Sequence, residues 1–247
     1  MSTFTDLYQG HATILDDTQA ARPNIYESRL RLLHHALVTR PDGTGADPGA
    51  ILSIGVGSGI FETLLAQRYG IHVSQAIEPS AALADQARAK GLDVIEATAQ
   101  DFDYGGAPYD TIVYNGSSFG FIPDDEIVGT FRRNREALAP GGRLVLTDVP
   151  AESALGIILR VRQEAGIPDA LAQELLKGTA FFNVAEHSYK PYWHEIPWYE
   201  AALREAGFSS FGYWQTVIEN PPYQNDAPSD PVAGYTAGNY VAIVAGE

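Results

Sequence analysis

Apolar positions along this chain follow two periods, and segments of the two kinds alternate. Short, nearly unbroken apolar runs occur at Ile51 onward (ILSIG), Ile71–Ile77 (IHVSQAI), Leu92–Ala97 and Tyr109–Asn115 (YDTIVYN), and again late in Ala137–Pro150 (ALAPGGRLVLTDVP). Runs of this length without polar alternation are the pattern of strands covered on both faces, as in a parallel sheet. Between them lie helical patterns, such as AALADQARAKG after Ser80. Residues 1 to about 40 also read as helical, with Ile25, Tyr26, Leu30, Leu32, Leu33 and Leu37 on one apolar face. Pro41 to Gly49 is rich in turn residues and separates that helix from the first strand. Beyond Pro150 the pattern predicts helices over 151–178, an aromatic-rich stretch over 181–198 and a helix over 197–206 that stops at Gly207. A strand over 208–219, a long Pro-, Asp- and Gly-rich loop over 220–238 and a last strand over 239–245 complete the chain.

Strands alternating with helices place the chain in the α/β class. Its 247 residues suit one domain with additions. No apolar run approaches the roughly 20 residues needed to cross a bilayer, and MSTFTDLYQGHATILDD has neither a basic flank nor an apolar signal core. The absence of cysteine excludes disulfides, thiolate metal sites and cysteine nucleophiles. These features lead us to expect a soluble, cytoplasmic protein, a monomer or homodimer, with no membrane partner. The formal net charge is −15, from 31 acidic against 16 basic side chains. Nucleic acid is bound through clustered Lys and Arg. The basic spots here, Arg29-Arg31 and Arg132-Arg133-Arg135, are interleaved in helical patterns and read as solvated faces. A nucleic-acid substrate is therefore disfavoured and a small molecule is the default.

The segment ILSIGVGSGIFE carries the most specific chemistry. A strand ends in Gly55, Gly57 and Gly59 and a helix follows at once. Such a junction turns sharply, lets a ligand approach the backbone and aims helix N-terminal N–H groups at it. A dinucleotide-binding G-x-G-x-x-G would need its third glycine at position 60, which is Ile60. Further along, Glu78-Pro79 ends the second strand, Thr98-Ala99-Gln100-Asp101-Phe102 follows the third, and Asn115-Gly116-Ser117-Ser118-Phe119-Gly120 follows the fourth.

Together with the Pro-Gly-Gly turn before the fifth strand, these five segments, in order over about residues 50–150, resemble the motifs of the class I S-adenosylmethionine (SAM) methyltransferases. The resemblance implies a doubly wound, mostly parallel sheet of seven strands with helices on both faces, the seventh strand antiparallel between the fifth and sixth. It implies SAM as cofactor and a cofactor site of Ser53, Gly55, Gly57, Gly59, Glu78, Pro79, Thr98, Ala99, Gln100 and Asn115. Glu78 would accept hydrogen bonds from both ribose hydroxyls, and the 98–100 segment would hold the adenine through backbone N–H groups. Two positions depart from the pattern. Ser53 stands where the family commonly has an acidic residue, leaving a hydroxyl for the cofactor ammonium or a bridging water, and Thr98 replaces a customary aspartate.

The expected domain plan is one methyltransferase unit: an N-terminal helical cap (1–48), the SAM-binding core (49–150), a lid insertion (151–195) and a C-terminal helix with the last two strands (196–247). The lid region holds the densest polar and aromatic set, HSYKPYWHEIPWY. His187 and His194 are the candidate general bases there. Tyr189, Tyr192 and Trp193 are candidates for packing against a flat or cationic acceptor. His187 and His194 lack metal-ligand spacing and no two-His-carboxylate cluster stands out, so no metal is expected. The expected function is methyl transfer to an oxygen or nitrogen of a small molecule in specialised metabolism. A SAM-binding protein without transfer activity and an NAD-dependent dehydrogenase are the alternatives.

Overall fold

A computed structural model describes residues 23–106, 108–116, 118–157, 160, 192–218 and 227–247. In chain order the elements are α1 (Pro23–Leu37), β1 (Ile51–Ile54), α2 (Ile60–Tyr69), β2 (Gln75–Ile77), α3 (Ala81–Ala89), β3 (Val94–Ile95) and β4 (Tyr109–Tyr114). A 3-10 turn (Ser118–Phe121) precedes α4 (Asp124–Ala137) and β5 (Leu138–Asp148). Then come α5 (Ile196–Glu205), β6 (Ser210–Thr216), β7 (Val232–Ala233) and β8 (Tyr240–Gly246).

The strands form one sheet in the order β3-β2-β1-β4-β5-β8-β6-β7. β1 to β5 are mutually parallel, and β8 lies antiparallel between β5 and β6. The expected antiparallel insertion is therefore present, but the sheet has eight strands rather than seven. The additional one is β7, two residues inside the stretch read as loop, pairing with Trp214 and Gln215 at the edge of the sheet. With Val232 46% exposed, so short an edge strand buries too little apolar surface to leave a hydropathy signal.

Several strands are shorter than their apolar runs. Before Gln75 the chain meets only the first residue of β1, where Ser74 exchanges bonds with Ile51 (Ser74 N–H to Ile51 O 2.9 Å; Ile51 N–H to Ser74 Oγ 3.1 Å), so no partner backbone remains for a longer β2. The Pro-Gly-Gly turn expected before the fifth strand is instead an irregularity inside β5. Tyr109 faces Leu138 and Thr111 already faces Arg143, so the turn residues bulge out of register, with Gly141 at φ 75.

Alternate residues of the central strands feed two cores. Ile112, Tyr114, Leu144, Leu146 and Ile243 meet α4 and α5 through Phe131, Tyr199 and Leu203. Val113, Val145 and Val244 meet α1 and α2 through Leu30, Leu33, Phe61 and Leu65. All six residues assigned to the apolar face of the first helix are buried. Most of the expected lid and the first half of the expected N-terminal cap lie outside the described residues. Among the described residues, no helix is long and apolar enough to cross a membrane.

Candidate functional site

Chain order in the sheet reverses between β1 and β4, which makes the crevice beyond their carboxyl ends the natural ligand site. Two turns meet there. After β1, Gly55, Gly57 and Gly59 all adopt left-handed backbone (φ 70, 58 and 74). The N–H groups of Gly55 and Val56 both donate to Ile77 O, at 2.9 and 3.1 Å, tying the turn to the end of β2. A Cβ at Gly55 would stand 2.4 Å from Ser118 Cβ, so close approach of the two turns depends on its absence.

Gly57 N–H donates to Glu78 Oε2 (2.8 Å), and Ser80 N–H donates to Glu78 Oε1 (2.9 Å). Glu78 is 1% exposed, and burial raises its carboxyl to about 7 against the pull of those two bonds. Each oxygen keeps a lone pair for a further donor. Across the crevice, Thr147 Oγ1 donates to Asn115 Oδ1 (2.9 Å) and accepts from Gly116 N–H (2.9 Å). That bond fixes the Asn115 amide by its oxygen and leaves its two N–H donors for a ligand.

Among the described residues, two adjoining cavities in the crevice share Gly55, Ser118 and Phe121. The smaller, ≈ 110 Å³, is lined by residues including Tyr26, Arg29, Gly57, Phe61, Glu78 and Asn115. The larger, ≈ 310 Å³, is lined among others by Ile77, Pro79, Thr98, Ala99, Gln100 and Tyr114. The 98–100 loop that lines it is clamped: Arg133 donates to the carbonyls of Gln100 (2.6 Å) and Ala99 (3.4 Å), and Tyr104 OH donates to Ala99 O (2.9 Å). Thr98 Oγ1 donates to Asp101 Oδ2 (2.8 Å) and accepts from Asp101 N–H (3.1 Å), so the threonine closes the loop locally. Among the described residues, the N–H groups of Ala99 and Gln100 have no acceptor.

Eight of the ten residues expected at the cofactor site thus line one of these cavities: Gly55, Gly57, Glu78, Pro79, Thr98, Ala99, Gln100 and Asn115. Gly59 does not. It starts α2, and a Cβ there would stand 2.5 Å from Leu92 Cδ1 and 3.0 Å from Ala87 Cβ, so it allows α2 to pack on α3. Ser53 does not line them either. It is fully buried and donates from Oγ to Glu62 Oε1 (2.8 Å). Glu62, from the first turn of α2, went unnoticed in the sequence. It brings a carboxylate beneath the glycine turn.

Burial raises the Glu62 carboxyl to about 7, with the Ser53 bond opposing the rise. The native state therefore holds an extra proton between about 4.5, the unfolded value, and 7. That stability is complete below about 4.5 and is lost as pH rises through 7. Glu62→Gln keeps the acceptor for Ser53 without the charge. We expect it to stabilise the protein by about 1–3 kcal/mol at pH 8 and to be neutral at pH 5. Thermal melts at the two pH values check this, and an equal effect at both would contradict it.

His187 and Tyr189 lie outside the described residues. Tyr192, Trp193 and His194 do not line either cavity. Tyr192 N–H donates to Gly120 O (3.2 Å), and Trp193 Nε1–H donates to Val149 O (2.8 Å). His194 stacks on Trp198 (3.6 Å between centroids) with Nε2 2.7 Å from Asp124 Oδ1. These contacts fasten the entry of α5 to α4 and to the 3-10 turn. Among the described residues, no cluster of side chains is suited to hold a metal.

Residues 51–142 match a family model described as a methyltransferase domain. Over these residues the core of this chain is similar to a methyltransferase domain. The fold extends the likeness over the whole chain. A SAM-dependent methyltransferase of Thermotoga maritima, described as a possible histamine N-methyltransferase, superposes with a TM-score of 0.73. The two are 21% identical, over 98% of this chain and 99% of that one. A TehB-like SAM-dependent methyltransferase of Corynebacterium glutamicum has a TM-score of 0.58 at 14% identity, over 97% of each chain. The CcbJ methyltransferase of Streptomyces caelestis has 0.57 at 15%, over 89% and 88%. No curated protein matches the sequence.

Proposed function

We propose that the adjoining cavities bind SAM and that the methyltransferase passes its methyl group to an oxygen or nitrogen of a small molecule. The observation that carries the cofactor assignment is the pairing of Glu78 with the glycine turn. A buried carboxylate with spare acceptor capacity suits the two hydroxyls of a ribose, and the unused N–H groups of Ala99 and Gln100, in a cavity also lined by Ile77 and Pro79, suit an adenine. When bound, SAM supplies a methyl group made electrophilic by the sulfonium. The chain's part is to fix that group, hold the acceptor in line and exclude water.

Small molecules are favoured as acceptors by the net charge of −15, which repels polyanions and draws in cations. The description of the Thermotoga maritima relative points to amines among them. Incubating the enzyme with methyl-labelled SAM and a panel of biogenic amines and phenols tests this. Label transferred to an amine or phenol supports the reading, and transfer only to protein or nucleic acid contradicts it.

Two variants probe the assignments. Glu78→Ala is expected to weaken S-adenosylhomocysteine (SAH) binding by about 1.5–3 kcal/mol, the range for hydrogen bonds to a charged group. Unchanged affinity by calorimetry would remove the ribose assignment. His194 is held by Asp124 and Trp198 away from the cavities, so we do not assign it the role of base. His194→Ala is expected to keep turnover within a few-fold while losing about 1 kcal/mol of stability. A loss on the order of 10²-fold or more in turnover would restore it as the proton acceptor.

A further inference from the structure

We propose that Tyr104 and Arg133, neither of which lines either cavity, are positioning residues for base recognition. They lock the peptide planes of the 98–101 turn so that its backbone donors meet a ring nitrogen of the base. This rests on the cofactor reading above and goes beyond it, because it assigns control of the contact to side chains outside the site.

The cluster Arg132-Arg133-Arg135 reads in sequence as a solvated helix face, and the structure divides it. Arg132 is exposed, and Arg135 pairs with Glu247 (2.8 Å). Arg133 is half-buried and turns instead to the loop after β3. Its Nη1 donates to Gln100 O (2.6 Å) and its Nη2 to Ala99 O (3.4 Å). Tyr104 OH donates to the same Ala99 O at 2.9 Å. The tyrosine ring is held in turn, with Phe102 edge-on at 5.0 Å and the Arg133 guanidinium carbon 5.9 Å from its centroid. A second residue of α4 holds the loop as well, since Gln100 Nε2 donates to Glu126 Oε2 (3.1 Å).

Three successive carbonyls of the turn are therefore occupied. Thr98 O accepts from Phe102 N–H (3.1 Å), Ala99 O from Tyr104 and Arg133, and Gln100 O from Arg133. A trans peptide is planar, with its N–H pointing opposite to its C=O, and none of the described peptides is cis. Fixing the carbonyl of one residue thus fixes the N–H of the next. The Gln100 carbonyl sets Asp101 N–H, which ends on Thr98 Oγ1 (3.1 Å). The Thr98 and Ala99 carbonyls set the N–H groups of Ala99 and Gln100, and these have no acceptor among the described residues.

Ala99 is 7% exposed, and an unpaired N–H on so buried a residue is costly until a ligand or water completes it. Both residues line the larger cavity, whose other walls include Ile54, Ile77, Pro79 and Ile122. Neutral donors on an apolar wall suit the edge of a flat heterocycle with an in-plane lone pair. Without the clamp the Ala99–Gln100 peptide is free to rotate, and binding must then reorder it.

Titration calorimetry on the whole chain with SAH and its 1-deaza and 3-deaza adenine analogues tests this. Each analogue replaces one acceptor nitrogen by C–H. Wild type is expected to bind one of them at least about 5-fold more weakly than SAH, which identifies the nitrogen that the turn contacts. Tyr104→Phe and Arg133→Met are each expected to weaken SAH by about 3- to 10-fold, with Arg133→Lys between wild type and Arg133→Met. On the weak analogue both variants should stay within about 2-fold of wild type, because the bond they position is already gone. Retained analogue binding also shows that the variants are folded. Equal losses on SAH and on that analogue would make the two side chains structural supports alone and overturn the inference, as would unchanged SAH binding. If wild type binds all three ligands alike, no backbone donor contacts these nitrogens, and the inference falls while the cofactor reading survives. If wild type binds none of them, the cofactor reading fails and takes this inference with it.

Discussion

Replacing Gly57 with valine is expected to abolish binding of SAM and SAH while leaving the protein folded. Gly57 sits at φ 58, where a residue with a Cβ costs about 1–2 kcal/mol and a β-branched one more. Its N–H donates to Glu78 Oε2, so turning the backbone out of the left-handed region would also withdraw the bond that orients the carboxylate. The added side chain would project from a residue that lines the cavity. We expect the affinity to fall by more than about 100-fold, and the melting temperature to drop by no more than the backbone strain requires. Calorimetry and a thermal melt on one sample measure both. Near-normal binding by the valine variant would reduce the turn to a structural connection.

Phe119→Ala is expected to be the most destabilising single truncation near the site, at about 3–5 kcal/mol. Phe119 is fully buried in the 3-10 turn after β4. It meets Tyr199 edge-on at 4.9 Å and Tyr114 at 6.2 Å, joining the turn to α5 and the sheet. Its neighbours Ser118 and Phe121 line both cavities, so the core beneath them is also the floor of the site. Loss of the ring should lower stability and cofactor affinity together. Urea denaturation with and without SAH would show it, and a cost below about 1 kcal/mol would mean that the turn does not depend on this anchor.

Much of the fold was legible because it rests on local patterns. The apolar face of α1 has helical spacing, and the strand, glycine turn and helix at Ile51–Tyr69 are contiguous in sequence. The acid at Glu78 was legible for the same reason, since it follows a strand directly and the fold brings strand ends to the crevice. What was missed depends on contacts between distant segments. Glu62 resembles any acid in a first helical turn, and only the fold sets it against Ser53. Arg29 looked solvated because nothing in α1 announces that Phe61 of α2 and Tyr240 of β8 will enclose it. His194 drew attention as a histidine among aromatics, and the fold sets it in a stack on Trp198 with Nε2 against Asp124. β7 was hidden because two half-exposed residues leave no periodic trace.

The central claim is that the crevice between β1 and β4 is the SAM site, with Glu78 at the ribose. A crystal structure of the protein with SAH tests it most directly. The account predicts both ribose hydroxyls within about 3.2 Å of the Glu78 oxygens, the adenine beside Ala99 and Gln100, and the sulfur on the side of Gly55 and Asn115. Adenosine bound elsewhere, or with its ribose turned away from Glu78, would contradict it.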